Sequence, residues 1–161
     1  MVVRFAFQSD LPAVNLLRKQ LNDLHVAGKP EIFKPGFPAE LRDYLYAVFD
    51  DPDKELVVAE QDGSILGFAI LNALHRPETP YMFERRYLDV DELCVAESAR
   101  RQGVGRALID FIRNYAGVRG FSRVELNMWE FNRDALAFYE ALGFTTYRRY
   151  MELPVEQEEE K

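Results

Sequence analysis

Two sets of residues in this chain have the types and spacing to do chemistry. The first is Arg100-Arg101-Gln102-Gly103-Val104-Gly105-Arg106, two glycines set among arginines. It stands between a β-type run, Leu88 to Val95, and a stretch where Val104, Ala107, Leu108, Phe111, Ile112 and Tyr115 recur at helical spacing. A helix opening at this point leaves several backbone N–H groups without intrahelical partners, and its dipole adds partial positive charge. Such a turn is suited to a phosphate or pyrophosphate. The second set is Asp89, Asp91 and Glu92, carboxylates with the chemistry of proton transfer. Three of them within four residues repel one another, which favours protonating one. On a regular strand Asp91 and Glu92 point to opposite faces, so at most one of the two serves a given site.

The elements that must carry these residues can be read along the chain. Val2–Phe7 predicts a first strand. Ser9 is placed as N-cap of a helix with Leu11, Val14, Leu17, Leu21 and Leu24 on one face. His25 to Phe37, holding Gly28, Pro30, Pro35 and Gly36, reads as a loop. Pro38–Phe49 predicts a second amphipathic helix burying Leu41, Leu45, Val48 and Phe49. Glu55–Glu60 and Ile65–Ala73 flank Gln61-Asp62-Gly63-Ser64 and read as a hairpin. Arg76–Arg86, with Pro77 and Pro80, is a loop before the strand at Leu88. Leu126–Trp129 reads as a strand, Asn132–Leu142 as a helix capped by Asn132, and Thr145–Leu153 as a final strand. The expected order is β-α-α-β-β-β-α-β-α-β in a single domain over residues 1–154, with an acidic, flexible tail over 155–161.

The glycine pair alone does not say which phosphate ligand it would hold. No G-x-x-x-x-G-K-[ST] run exists, and a dinucleotide fingerprint would need a small residue where Leu108 stands. The C-terminal third supplies context. Arg100, Gly103 and Gly105 fit R/Q-x-x-G-x-G/A, and about thirty residues later Asn132, Ala135, Phe138, Tyr139, Gly143 and Phe144 fit N-x-x-A-x-x-F-Y-x-x-x-G-F. With both motifs in this order, the chain resembles the GNAT superfamily of N-acetyltransferases over most of its length. The region before about residue 50 and the loop near residues 75–87 match least.

The resemblance implies an α/β (α+β) GNAT fold, with a mixed, mostly antiparallel central sheet of six to seven strands flanked by about four helices. It also implies direct transfer of an acetyl group from acetyl-CoA, as cosubstrate, to a primary amine, without an acyl-enzyme and without a metal. Such transfer needs a neutral amine, a donor for the tetrahedral oxyanion and a proton for the departing thiolate. Tyr139 matches the family tyrosine beside the coenzyme sulfur and is the candidate general acid, although Ala135, Phe138, Tyr139 and Leu142 also form one apolar helical face. Asp91 first, and Glu92 second, match the acidic pair of polyamine-type members and are candidates for removing the amine proton. The family carries a bulge in this strand, which blurs the alternation of side chains. The other reading of either carboxylate is a cap or an ion pair with Arg100 or Arg101.

Backbone groups of Leu93, Cys94 and Val95 correspond to those the family uses for the oxyanion and the pantetheine arm. Arg100, Arg101, Gln102, Gly103, Val104, Gly105 and Arg106 correspond to the phosphate neighbours, and Asn132 to a coenzyme contact. Cys94, with no histidine near it in sequence, reads as structural. His25 and His75 are isolated, and no metal-ligand spacing stands among His, Cys and carboxylates.

Composition narrows the rest. A chain of 161 residues with 48% hydrophobic content fits one globular domain. A single cysteine excludes a disulfide framework and points to a reducing compartment. The apolar start Val2–Phe7 is too short for a signal sequence, and Ile65–Leu71 is too short to span a bilayer, so the expected location is the cytoplasm. A net charge of −7 disfavours a nucleic-acid surface and suits a cationic acceptor, although part of it lies in residues 156–161. The expected acceptor is a small cationic amine such as a polyamine. A protein N-terminus or lysine, an aminoglycoside, and a non-catalytic acetyl-CoA-binding module are the alternatives. Tyr81, Met82 and Phe83, with Trp129 and Phe131, supply aromatic surface for an acceptor wall or a dimer contact. The final strand is a candidate edge for a homodimer.

Overall fold

Residues that alternate between two buried faces build the sheet. In the computed structural model, which describes residues 1–155, the strands order as β1-β2-β3-β4-β5. They are β1 (Val2–Phe5), β2 (Lys54–Gln61), β3 (Ser64–Arg76), β4 (Arg85–Val95) and β5 (Val124–Leu126). The first four pair antiparallel, and β5 joins β4 in parallel. Asp62 and Gly63, both at positive φ, make the two-residue turn between β2 and β3, a geometry that matches the twist of the flanking strands. The helices are α1 (Leu11–Gly28), α2 (Ala39–Asp50), α3 (Val104–Val118) and α4 (Arg133–Ala141). The chain forms two compact units, Met1–Trp129 with the sheet and α1 to α3, and a second from Glu130 onward that contains α4.

Alternation assigns each sheet residue to a face. Leu56, Val58, Phe68, Ile70 and Cys94 pack with Leu11, Val14 and Leu17 of α1 and with Leu45 and Val48 of α2. The intervening residues Val57, Ala69 and Leu71 are equally buried, on the side that α3 covers with Leu108, Ile109 and Ile112. Gly67 lets α3 lie close. A Cβ there would stand 3.1 Å from Val104 Cγ1, 3.2 Å from Leu108 Cδ1 and 3.0 Å from the Cys94 carbonyl oxygen.

Several expectations need correction. Five strands stand where six to seven were expected, because two runs read as strands do not pair as read. The last strand ends at Leu126 instead of extending to Trp129, and Thr145–Leu153 takes no regular secondary structure. Alternating apolar residues make a strand only where a neighbouring edge accepts their hydrogen bonds. The loop expected from His25 begins later, because α1 runs on to Gly28. Lys29 N–H donates to the His25 carbonyl at 2.9 Å, and the His25 ring stacks on Phe33 at 4.9 Å; such contacts override weak local propensity.

Ser9 lies in a 3₁₀ turn ahead of α1 and does not cap it. Asp10 stands at the N-cap position, but its side chain makes no cap hydrogen bond to α1; it closes the preceding turn, accepting the Phe7 N–H at 2.7 Å and pairing with Arg4 at 2.7 Å. In α2, Leu45 and Val48 are buried as expected, whereas Leu41 and Phe49 are half-buried. Residues 156–161 of the expected tail lie outside the described residues.

Candidate active site

The turn that carries the arginines is built by left-handed backbone. β4 ends at Val95, a 3₁₀ turn spans Glu97–Ala99, and α3 starts at Val104. Between them Arg101 has φ +63° and Gly103 has φ +82°. Gly103 is the N-cap residue of α3, and no side chain caps it. A glycine meets that φ at no steric cost, whereas a side chain there would be strained. The Ala107 N–H donates to the Gly103 carbonyl at 3.0 Å, so the N–H groups of Val104, Gly105 and Arg106 precede the first intrahelical bond and face outward. Arg100, Arg101 and Arg106 are exposed and take no carboxylate partner among the described residues. Gln102 instead donates to the Ser98 carbonyl at 3.0 Å and staples the turn. First-turn amides, a helix dipole and three guanidinium groups together suit a polyanion.

Beside this turn the sheet opens. The β4–β5 ladder pairs Leu88 with Val124, Asp89 with Glu125 and Val90 with Leu126, and there it ends. β4 itself continues to Val95, held on its other side by β3. Alternate residues of Asp91–Val95 therefore turn N–H and C=O groups toward a side that β5 does not cover. Gln20 of α1 braces the end of this edge. Its amide nitrogen donates to the Val95 carbonyl at 3.0 Å, and its oxygen accepts the Glu97 N–H at 3.2 Å.

The carboxylates sit where β4 is irregular. Ile70 pairs with Glu92 and Leu71 with Val90, so Asp91 is the extra residue of a β-bulge. The bulge resets the alternation. Glu92 and Asp89 lie opposite Ile70 and Asn72, both even-numbered positions of β3, and so share the face covered by α1 and α2. Asp91 also reaches that side, where its Oδ2 accepts the Tyr44 hydroxyl of α2 at 3.3 Å. Burial pushes the Tyr44 phenol up, and Asp91 adds to the shift, which keeps the hydroxyl a donor. The regular-strand expectation that Asp91 and Glu92 face opposite ways is thus corrected.

Glu92 pairs with Arg18, not with Arg100 or Arg101. Arg18 Nε and Nη2 donate to its two oxygens at 2.8 and 2.9 Å, and Arg18 is 5% exposed. Asp89 accepts from the Asn72 amide at 3.3 Å, and its carboxyl is pushed up, first by burial and then by Asp91 and Glu125. Repulsion among the acids contributes, but desolvation leads.

Cys94 is 6% exposed, and its thiol is pushed up to about 11 by burial, which outweighs the charge of Arg100 and the hydrogen bond from Gln20. His25 is shifted down by burial, with Glu92 opposing. It stacks on Phe33, which meets Trp129 edge-on at 5.2 Å. Tyr81 and Phe83 are exposed on the loop before β4, and Phe83 borders a hollow of about 420 Å³ shared with Met82, Tyr87 and Arg123. That hollow lies at the start of β4, where its lining residue Tyr87 stands four residues, roughly 13 Å along the strand, from Asp91. His75 pairs with Glu84 on the same loop at 2.7 Å. No group of His, Cys, Asp and Glu among the described residues could hold a metal ion, and no helix among them is long and apolar enough to cross a membrane.

In the second unit Asn132 caps α4, its Oδ1 accepting the Ala135 N–H at 3.2 Å. At the other end the Gly143 and Phe144 N–H groups donate back to Glu140 and Tyr139 at 3.0 and 3.1 Å. Tyr139 is half-buried and packs edge-on with Phe138 and Phe144.

Sequence reasoning missed Arg18, Gln20 and Tyr44. A signal for Arg18 existed. It occupies a position that the spacing Leu11, Val14, Leu21 reserves for an apolar residue, and a charge there needs a buried partner.

A family model described as "Acetyltransferase (GNAT) family" matches residues 18–144. N-acetyltransferase family 8 member 3 of Rattus norvegicus is 32% identical over 87 residues, 54% of this chain and 36% of the relative, so the match spans about a third of that protein. Aminoglycoside N(6')-acetyltransferase type 1 of Klebsiella aerogenes is 30% identical over 107 residues, 66% of this chain and 69% of the relative. Among solved structures, a mutant of the BH1408 protein from Bacillus halodurans superposes with a TM-score of 0.93 at 27% identity, covering 97% of this chain and 100% of that one.

Proposed function

This chain belongs to the acetyltransferase (GNAT) family, and on that premise we propose that it transfers the acetyl group of acetyl-CoA directly to a primary amine of a small cationic molecule. The observation that carries this reading is the opening beside β4, where the ladder with β5 stops at Val90 while the strand runs on into an anion-suited helix start. The residues present fit acetyl-CoA. The first-turn N–H groups of α3, with Arg100, Arg101 and Arg106, suit its phosphates. The edge Asp91–Val95 suits the amides of the pantetheine arm, which can add to it as a strand would.

Acetyl-CoA supplies the thioester carbonyl. Asp91, the exposed bulge residue, meets the ammonium and takes the proton that leaves the amine its lone pair. As the C–N bond forms, backbone N–H groups between Leu93 and Val95 donate to the oxyanion. As the C–S bond breaks, Tyr139 gives its proton to the thiolate, the role its match to the family tyrosine assigns, and the phenolate so formed takes the second proton of the acylated nitrogen, leaving a neutral amide and a neutral tyrosine. Asn132 joins the coenzyme contacts on the same ground. Cys94 takes no part as a nucleophile, because burial keeps its thiol protonated.

A cationic acceptor is supported by charge. Asp89, Asp91 and Glu125 stand close enough for Asp91 and Glu125 both to raise Asp89. One relative acts, by its name, on an aminoglycoside, itself a cationic amine.

The deciding experiment measures thiol release from acetyl-CoA against polyamines, aminoglycosides, amino acids and basic peptides. Turnover with one of the small cations supports the proposal, and turnover with basic peptides alone replaces the acceptor. No turnover, with acetyl-CoA bound in calorimetry, leaves a coenzyme-binding module; no binding at all overturns the reading. Tyr139→Phe is expected to lower kcat by about 100-fold while leaving the acetyl-CoA Kd within about twofold. Unchanged turnover removes Tyr139 from the acid role.

A further inference from the structure

Two adjacent carboxylates on β4 raise the question of which one meets the amine, and the helices above them answer it. Arg18 sends two of its nitrogens to Glu92, at 2.8 and 2.9 Å. Its third nitrogen, Nη1, donates to Asn15 Oδ1 at 3.2 Å and to the Leu41 carbonyl. The guanidinium is therefore committed on every nitrogen, inside a junction of α1, α2 and β4. With both of its oxygens gripped by a 5% exposed guanidinium, Glu92 is not free to turn toward an amine. Asp91 has no such clamp. It is exposed, and the Tyr44 hydroxyl is the partner it has on α2.

Arg18 touches that second carboxylate as well, by one intermediate. Its guanidinium lies 5.3 Å from the centre of the Tyr44 ring and 5.8 Å from that of Phe37, within reach for cation–π attraction. The ring is held from one side while its hydroxyl points at Asp91. A single side chain thus immobilises Glu92 directly and sets Asp91 through Tyr44.

Resting on the acetyltransferase reading, the geometry points to Arg18 as a positioning residue that divides the two carboxylates, holding Glu92 as a fixed anchor and aiming Asp91, by way of Tyr44, at the acceptor amine. The bulge at Asp91 makes the division workable, since it brings both side chains to the α1–α2 face that a regular strand would have split. Lysine cannot replace arginine here. It keeps the charge but lacks the planar fork that grips both oxygens of Glu92 and stacks on an aromatic ring.

The test is a double-mutant cycle in steady-state kinetics with acetyl-CoA and the amine the wild type uses best. Arg18→Lys is expected to lower kcat about tenfold or more, the scale of a misplaced reacting group, with the acetyl-CoA Kd unchanged. In an Asp91→Asn background the same substitution should cost less than about twofold, because the group it positions is gone. Tyr44→Phe, at a half-exposed ring that leaves packing intact, should reproduce the direction of the Arg18→Lys loss. Full, multiplicative losses for Arg18→Lys and Asp91→Asn overturn the proposal, as does a kcat that survives Asp91→Asn. Should Arg18→Lys fail to fold, the Tyr44→Phe and Asp91→Asn cycle decides by the same criterion. A wild type that binds acetyl-CoA but turns over no amine overturns the transferase reading and this role with it. A wild type that turns over while the cycle is additive overturns this role alone.

Discussion

Asp91 and Glu92 are neighbours in sequence with different surroundings: one is exposed beside a phenol, the other gripped by a buried guanidinium. Residue type alone could not separate them, because the distinction comes from α1 and α2, which are distant in sequence. Cys94 shows the same dependence. Its thiol is raised from 9.0 to about 11, so it carries about 100-fold less thiolate than an ordinary cysteine at the same pH. Iodoacetamide at pH 8 should therefore label the native protein far more slowly than the urea-unfolded chain, and equal rates would contradict the burial. The linkage has a definite sign. A thiol raised on folding stabilises the native state below pH 9 and loses that contribution as pH climbs toward 11. The destabilisation caused by Cys94→Ala should accordingly shrink between those two pH values, as read by chemical denaturation.

At the scale of elements, the start of α3 was legible because its chemistry is local. Two glycines, flanking arginines and a helical apolar period lie within about fifteen residues, and a helix terminus follows from such a pattern whatever surrounds it. Gly103→Val puts a β-branched side chain at φ +82°, which costs about 1–2 kcal/mol or distorts the turn. It should weaken acetyl-CoA binding at least tenfold in calorimetry, and undiminished binding would remove this turn from the phosphate site. The Asn132 cap and the C-terminal turn of α4 were legible for the same reason, each satisfied within a few residues. The run from Thr145 to Leu153 was misread as a strand because alternation is necessary for a strand but a partner edge is also required.

For the whole molecule, net charge is −7 and the carboxylates near the bulge are acidic, whereas the start of α3 is basic. The proposed cationic acceptor and the anionic cosubstrate would thus be drawn to different places by opposite fields. Raising NaCl from about 50 to about 300 mM shortens the screening length roughly 2.4-fold and should lower kcat/KM for a polyamine several-fold. A flat dependence on salt would argue against an acceptor recognised through its charge. The chain covers 36% of one curated relative and 69% of another and superposes over 97% of its length on a solved structure, and a shared fold does not by itself carry an acceptor.

The order of residues alone is enough for the family, the anion-suited turn, the β2–β3 hairpin, the caps of α4 and the set of carboxylates that could act. These rest on interactions between residues close in the chain, where spacing dictates geometry. The folded chain was needed to show which residue of β4 bulges, that Asp91 and Glu92 share a face, that Arg18 takes Glu92, and that burial silences Cys94. Each of those depends on a partner about twenty to more than seventy residues away. Register, desolvation and ion pairing are properties of what the fold brings alongside, and a linear pattern does not contain them.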